Sequence, residues 1–176
     1  MSLGRPSRLV GAALCVGGLL LVAGCGPIPV GLTAVTQRDG HLLIAVMRCD
    51  DTALERVGVD HPGPLRGTDT PREHVDDGRW TTDQDEDDII VLDTSDPGEG
   101  WDTETSLGTL DPSVRYTASG GGDSDHPMGH VGFTTAELEA LAEGQWLYDS
   151  GETRDPGAAG PTTTDLADLR EEECHA

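Results

Sequence analysis

The chain of 176 residues contains no lysine, and its eleven basic residues, all arginine, are outnumbered by 33 acidic ones. The formal net charge of −22 argues against binding to nucleic acid, whose phosphates require a basic surface. It also argues against attachment to an anionic lipid surface through a basic patch. Such acidity is typical of a soluble, well-solvated surface.

Sequence signatures of catalysis are missing as well. There is no G-x-S-x-G nucleophile elbow, and no glycine-rich phosphate loop precedes a helix, since Gly120–Gly122 is predicted to be a turn. Acidic residues are so numerous that paired carboxylates, as in a glycosidase, arise by chance. We therefore expect a non-catalytic protein without a cofactor, and a cell-wall hydrolase is the least favoured function.

The longest apolar run, Leu9–Ala23, has 15 residues and follows Arg5 and Arg8. This order of charge and apolar run is typical of a secretory signal. A transmembrane anchor is an alternative, but the run falls short of the roughly 20 residues that a spanning helix needs. Cleavage by the ordinary signal peptidase is a second alternative, because small residues precede Cys25.

Val22-Ala23-Gly24-Cys25 closely resembles the bacterial lipobox. The resemblance implies a signal peptide over residues 1–24 and a diacylglyceryl group, with chains such as palmitate, on the Cys25 sulfur. Two or three acyl chains hold a protein stably, whereas one is marginal. The lipid bilayer is then the first partner, and we expect a lipid-anchored protein on the extracytoplasmic face of the cell membrane. Pro27 and Pro29 favour an extended tether over residues 25–31.

The four cysteines then divide by role. Cys15 leaves with the signal and Cys25 carries lipid, so Cys49 and Cys174 remain as an even pair in an oxidising compartment. We predict a disulfide between them rather than a redox or metal site. Closing a loop of over a hundred residues is worth roughly 4–5 kcal/mol in the chain-entropy model.

A β-hairpin is predicted first along the mature chain. Its arms are Leu32–Gln37 and His41–Arg48, and Asp39-Gly40 supplies the turn. Both alternating sets of side chains in the second arm are apolar, so it is predicted to be a central strand covered on both faces.

Further strands and helices are predicted from shorter patterns. A strand or a turn of helix is expected at Ala53–Val59, and a final short helix or strand at Asp165–Glu173. Residues 60–88 are expected to be irregular apart from a short strand at Arg79–Thr81. Trp101 is expected to cap the core. A short helix capped by Thr134 or Thr135 should run through Leu141, with Glu137 in its first turn. The remaining strands are predicted at Ile89–Leu92 (buried), Ser113–Ala118, His130–Thr134 and Gln145–Tyr148.

About seven short strands and one short helix indicate a mainly β fold, a single immunoglobulin-like β-sandwich over residues 32–176 with long acidic loops. The passage from Val131 through Gly144 to Tyr148 is similar to the strand-E to strand-F corner of immunoglobulin-like and fibronectin type III domains. The mature chain as a whole resembles the small secreted lipoproteins of actinobacteria of the Streptomyces type. The matching features are the lipobox, the hairpin, the segment 130–148 and the late Cys174. This resemblance implies location and fold, and no catalytic residues.

The acidic run 83–88 is a weak candidate for calcium through Asp83, Asp85 and Asp87. An EF-hand is excluded, because Asp88 replaces the turn glycine and Thr94 the bidentate glutamate. A looser site with help from Asp123 and Asp125 is an alternative, and a solvated acidic loop is the favoured interpretation.

Two histidines, His126 and His130, have the spacing of zinc ligands on a helix. The intervening Pro127 and Gly129 argue against that helix, so they are predicted to be loop histidines. His175, next to Cys174, is likewise predicted to have no role as a ligand.

The sequence thus predicts a binding or accessory module at the cell envelope, with an envelope protein as a possible second partner. The alternative function is a lipoprotein that binds calcium or another small ligand.

Overall fold

A computed structural model of the chain describes residues 30–63, 73–83, 87–122, 127–149 and 160–174. These ranges contain ten strands and two helices. The strands are β1 (Gly31–Arg38), β2 (His41–Arg48), β3 (Arg56–Pro62), β4 (His74–Thr82), β5 (Ile89–Asp93), β6 (Trp101–Thr105), β7 (Tyr116–Gly121), β8 (Pro127–Phe133), β9 (Trp146–Tyr148) and β10 (Thr162–Thr163). The helices are α1 (Thr135–Glu139) and α2 (Leu166–Cys174).

All strand pairs are antiparallel and form two five-stranded sheets. Sheet I has the order β10-β9-β1-β2-β5, and sheet II the order β6-β4-β3-β7-β8. The predicted β-sandwich is therefore confirmed. Thr33 joins the two sheets, since its hydroxyl donates to the carbonyl oxygen of Gly129 and accepts from the backbone N–H of Gly120 at 3.2 Å.

The predicted hairpin is also confirmed. Strands β1 and β2 pair from Gly31↔Arg48 to Arg38↔His41. Asp39 and Gly40 at the turn have φ angles of 52° and 82°. Positive φ at both central residues is the requirement of a type I′ turn, which matches the twist of the flanking strands.

Strand β2 is buried on both of its faces. Leu42, Ile44 and Val46 belong to the core between the sheets. Leu43, Ala45 and Met47 belong to a second apolar cluster on the other side of sheet I. That cluster includes Leu169 of α2, so the helix provides the second cover that the sequence pattern required.

The strand order has the arrangement of an immunoglobulin-like sandwich. Strands β1-β2-β5 follow the order A-B-E, and β8-β7-β3-β4 follow the order G-F-C-C′. The Tyr116 hydroxyl accepts a hydrogen bond of 2.7 Å from the Asp111 backbone N–H, five residues upstream. A tyrosine that bonds back in this way at the start of strand F is the tyrosine corner of such folds.

The predicted position of the strand-E to strand-F corner is wrong. The segment from Val131 to Tyr148 instead joins β8 in sheet II, through α1, to β9 in sheet I. The corner lies at residues 111–116, before β7, and contains Pro112. Both segments place apolar residues before a strand that carries an aromatic residue. The local sequence pattern alone therefore did not show which segment is the corner.

Several other elements differ from the sequence expectations. Strand β4 has nine residues in a region expected to be irregular, and β6 was not expected. The segment Asp165–Glu173, expected to be a short helix or strand, is helical and belongs to α2. Strand β5 is at an edge of sheet I, and Val91 on it is 45% exposed. The short apolar run therefore marked a strand buried on one face only. Trp101 packs against the core as expected.

Gly120 and Gly121 belong to β7, although a turn was expected there. A Cβ atom at Gly120 would lie 2.8 Å from Cγ1 of Val46 in the opposite sheet. This position thus needs glycine because the two sheets approach closely, and not because the chain turns.

The predicted disulfide between Cys49 and Cys174 is present, with the two Cα atoms 5.1 Å apart. Arg170 reinforces it, because its Nε donates to the Arg48 carbonyl oxygen at 2.5 Å and its Nη2 lies 3.1 Å from Asp88 Oδ2. The Cys49 backbone N–H donates to the Val30 carbonyl oxygen at 2.8 Å. The C-terminal helix is thereby fixed beside the start of β1.

Gly120→Ala should destabilise the protein by about 1–3 kcal/mol, because the added methyl group overpacks the contact with Val46. Gly108→Ala is the control, since nothing lies within 4 Å of a Cβ at that loop position. Its effect should stay within about 0.5 kcal/mol. Urea unfolding measures both, and equal midpoints for the two variants would contradict the close packing of the sheets.

Candidate functional site

The sandwich has two distinct ends. At the N-terminal end, Val30 lies beside Cys49, and the disulfide brings Cys174 to the same place. The hairpin end contains the Asp39-Gly40 turn and α1. Because β1 and β2 pair along their full length, the two ends are separated by eight residues of strand, or about 25 Å.

An open cleft of about 550 Å³ lies at the hairpin end. It is bounded by the β1–β2 turn, the end of β5, the loop 107–110 and α1. Four leucines contribute its apolar surface: Leu42, Leu107, Leu110 and Leu138. Its polar surface comes from Gln37, His41, Thr94, Ser95, Thr109, Thr135 and Glu139.

A capping box fixes α1 as one wall of the cleft. The Thr134 hydroxyl accepts from the Glu137 backbone N–H at 3.2 Å, and the Glu137 carboxylate accepts from the Thr134 backbone N–H at 2.8 Å. Arg115 holds the same carboxylate at 3.1 Å. This confirms the predicted helix start, and it places Leu138, 4% exposed, against the core.

The opposite wall follows β5. The Thr94 backbone N–H and hydroxyl both donate to the Leu42 carbonyl oxygen, at 3.1 and 2.9 Å. Burial raises the pKa of the Asp93 carboxyl, but hydrogen bonds from Ser95 and Asp96 and the charge of His41 outweigh it, so the net pKa is lowered. Asp93 is therefore ionised at neutral pH beside the cleft.

The loop 107–110 leads directly into the tyrosine corner, where the Asp111 backbone N–H donates to the Tyr116 hydroxyl. The ring of His61 packs edge-on against Tyr116, with 5.6 Å between ring centroids. Its Nδ1 lies 2.6 Å from Asp77 Oδ2. Within the described residues no hydroxyl or thiol is hydrogen-bonded to the His61 ring, so this part of the chain shows no nucleophile–base dyad at His61.

Of the predicted calcium residues, only Asp83 and Asp87 lie in the part of the chain that the structure describes. Asp83 lies at the end of β4 and Asp87 shortly before β5, while Asp85, Asp123 and Asp125 lie outside the described residues. Across the described ranges, no group of three or more His, Cys, Asp or Glu side chains could hold a metal ion.

Of the remaining predicted site residues, some lie within the described residues and others lie outside them. His130 is an exposed residue of β8, and Cys174 is in the disulfide. Cys25, His126 and His175 lie outside the described residues. Their predicted roles stay predictions.

Sequence reasoning missed the cleft. Its four leucines come from three chain segments that are distant in sequence. One usable signal was present in the sequence, because Leu107 and Leu110 are apolar residues in a turn-rich, otherwise polar segment. In the structure they are partly buried against the core.

Comparison of the chain with protein-family models, curated proteins and solved structures found no match. The resemblance to actinobacterial lipoproteins therefore stays a prediction. Neither helix in the described part of the chain has the length and apolar character needed to cross a membrane.

Proposed function

We propose that this protein is a lipid-anchored, non-catalytic binding module on the extracytoplasmic face of the cell membrane. The observation that carries the proposal is the position of β1, which begins at Gly31, only six residues after Cys25. The five residues between them span at most about 18 Å when fully extended. An acylated Cys25 would therefore keep the N-terminal end of the sandwich close to the bilayer.

The same geometry supports an outward-facing cleft. The cleft is at the hairpin end, about 25 Å along β1 from the point of attachment. After removal of residues 1–24, nine arginines and 33 acidic residues remain, a side-chain charge of −24. This charge opposes contact with anionic lipid, so the acyl chains would provide the attachment alone.

The cleft supports a role in binding. Its volume of about 550 Å³ falls within the range of roughly 300–1,000 Å³ that is typical of ligand sites. The leucines would bury aliphatic groups, while the hydroxyl and amide side chains would bond to polar groups of the ligand. A segment of an envelope protein is the proposed occupant, and a small ligand in the same cleft is the second candidate.

Cys25→Ala should remove the acylation site, so the protein should leave the membrane fraction or accumulate as uncleaved precursor. Cys15→Ala, within the same signal, should behave as the wild type. Cell fractionation with detection of the amino-terminal processing state measures both. A Cys25→Ala protein that fractionates and migrates like the wild type would rule out the lipid anchor.

A photoreactive amino acid at Thr109 in the cleft should form a crosslinked protein adduct in intact cells. The same residue at Thr105, an exposed position of β6, is the matched control and should give none. Loss of the adduct with Glu139→Arg, at an exposed residue of α1 that lines the cleft, would link it to the cleft. Equal crosslinking at both positions would contradict protein binding there, and absence of an adduct together with ligand-dependent melting shifts would favour the small ligand.

A further inference from the structure

The two sheets end in four edge strands, which differ in how they are protected against pairing with another chain. Strand β10 has only two residues, and β6 carries the exposed acids Asp102 and Glu104. In β8, the Gly129 carbonyl oxygen accepts a hydrogen bond from the Thr33 hydroxyl of β1. Short length, edge charges and cover by another element all hinder edge-to-edge pairing. In β5, by contrast, residues 89–92 are all apolar and pair in the described part of the chain with β2 alone.

The register of β5 shows which of its backbone groups face away from the sheet. The Thr94 backbone N–H donates to the Leu42 carbonyl oxygen of β2 at 3.1 Å. Every second residue of an antiparallel strand bonds to the same neighbour, so the backbone N–H and C=O of Ile89 and Val91 are directed to the free edge. Among the described residues, no turn, loop or cap hydrogen bond reaches these groups. They are available to a further strand.

Apolar side chains accompany these free backbone groups. Ile89 is opposite Met47 and Val91 is opposite Ala45, so both lie on the face of sheet I that carries the second apolar cluster. Ile89 packs against that cluster, whereas Val91 is 45% exposed. The apolar surface beside α2 therefore continues to the free edge and ends there at Val91.

The row of side chains on this face is acidic at both ends. Asp87 precedes Ile89 by two residues and is exposed, and Asp93 follows Val91 by two. Two basic groups lie near the row: Arg170 is 3.1 Å from Asp88, and the charge of His41 acts on Asp93. With one arginine against three aspartates, the strand end keeps a net negative charge. The row thus presents acid, apolar, apolar, acid along the free edge.

We propose that the free edge of β5 binds an extended segment of a partner protein, in which apolar residues lie between two basic ones. Main-chain hydrogen bonds to Ile89 and Val91 would hold the segment as a sixth strand of sheet I. Its apolar side chains would cover Val91, and its basic side chains would lie opposite Asp87 and Asp93. Opposite charges and apolar groups at facing positions are the cross-strand pairs that stabilise a sheet.

The same charges disfavour a second copy of this chain as the occupant. Symmetric antiparallel pairing centred on Val91 would place Asp93 of each copy diagonal to Asp87 of the other. Like charges at neighbouring cross-strand positions destabilise such a pair, and each mature chain carries a side-chain charge of −24. Residues 87–93 do not line the cleft, so binding at this edge stands or falls independently of the anchor and the cleft.

Titration of the full mature chain in detergent micelles with three end-blocked peptides tests the proposal. The first alternates threonine with valine between two terminal arginines, the second has glutamates in place of the arginines, and the third has prolines in place of the valines. Only the first should bind. It should slow amide hydrogen exchange at Ile89 and Val91 and leave Ile90 and Leu92 unchanged, because their N–H groups already bond to β2.

Val91→Arg should weaken binding of the first peptide about tenfold, since it replaces an apolar cross-strand contact by a like charge. Val75→Arg is the matched control, because Val75 on β4 is 40% exposed and the change in charge is the same. It should leave the affinity unchanged. Val91→Pro should also weaken binding, because it removes an N–H that faces the free edge and none that bonds to β2. If Val91→Pro does not fold, the two arginine variants decide.

Four outcomes would overturn the proposal. They are equal binding of the proline peptide, equal binding of the glutamate peptide, equal losses in the two arginine variants, and exchange protection that does not alternate along β5. Sedimentation of the chain without peptide adds a fifth. A dimer that Val91→Arg dissociates and Val75→Arg does not would show that a second copy occupies the edge.

Discussion

Strand β2 has apolar side chains on both faces, and each face requires its own cover. Sheet II covers one face, and α2 with Trp146 covers the other. The chain has only six aromatic residues, so the core between the sheets is mostly aliphatic and depends on close approach. Gly120 permits that approach opposite Val46, and Thr33 joins the sheets through its hydroxyl.

The apolar contact that α2 makes with the outer face of sheet I is small. Leu169 is the buried residue of α2, and burying one leucine is worth about 1.5–3 kcal/mol. The disulfide to Cys49 and the contacts of Arg170 therefore hold the helix more than its own apolar surface does. These links all lie at the N-terminal end of the sandwich. The disulfide and the contacts of Arg170 thus stabilise the end beside the proposed anchor, while loops and α1 form an open cleft at the other end.

Much of the fold could be predicted because its signals are local. The Asp39-Gly40 turn, the double-faced pattern of β2 and the Thr134–Glu137 capping box each lie within a few residues. The Cys49–Cys174 bond followed from the count of cysteines. The edge position of β5, the strand conformation of Gly120 and the true position of the corner depend on partners elsewhere in the chain. No local pattern contains that information, and the same is true of the cleft.

The cleft is formed by four separate segments of the chain. The acidic run 83–88 suggested a calcium site in the sequence because its residues are adjacent. Adjacent charges mark a solvated loop more often than a site, whereas the cleft is formed by residues that show no pattern in the sequence.

In the function that we propose, the N-terminal end of the sandwich faces the bilayer and the cleft faces away. Energy transfer from a fluorescent amino acid to acceptor lipids, in vesicles carrying the acylated protein, tests it most directly. One label replaces Asp88 at the N-terminal end, and the other replaces Asp39 at the hairpin turn. We predict strong transfer from position 88 and weak transfer from position 39. Equal transfer, or the reverse order, would contradict it.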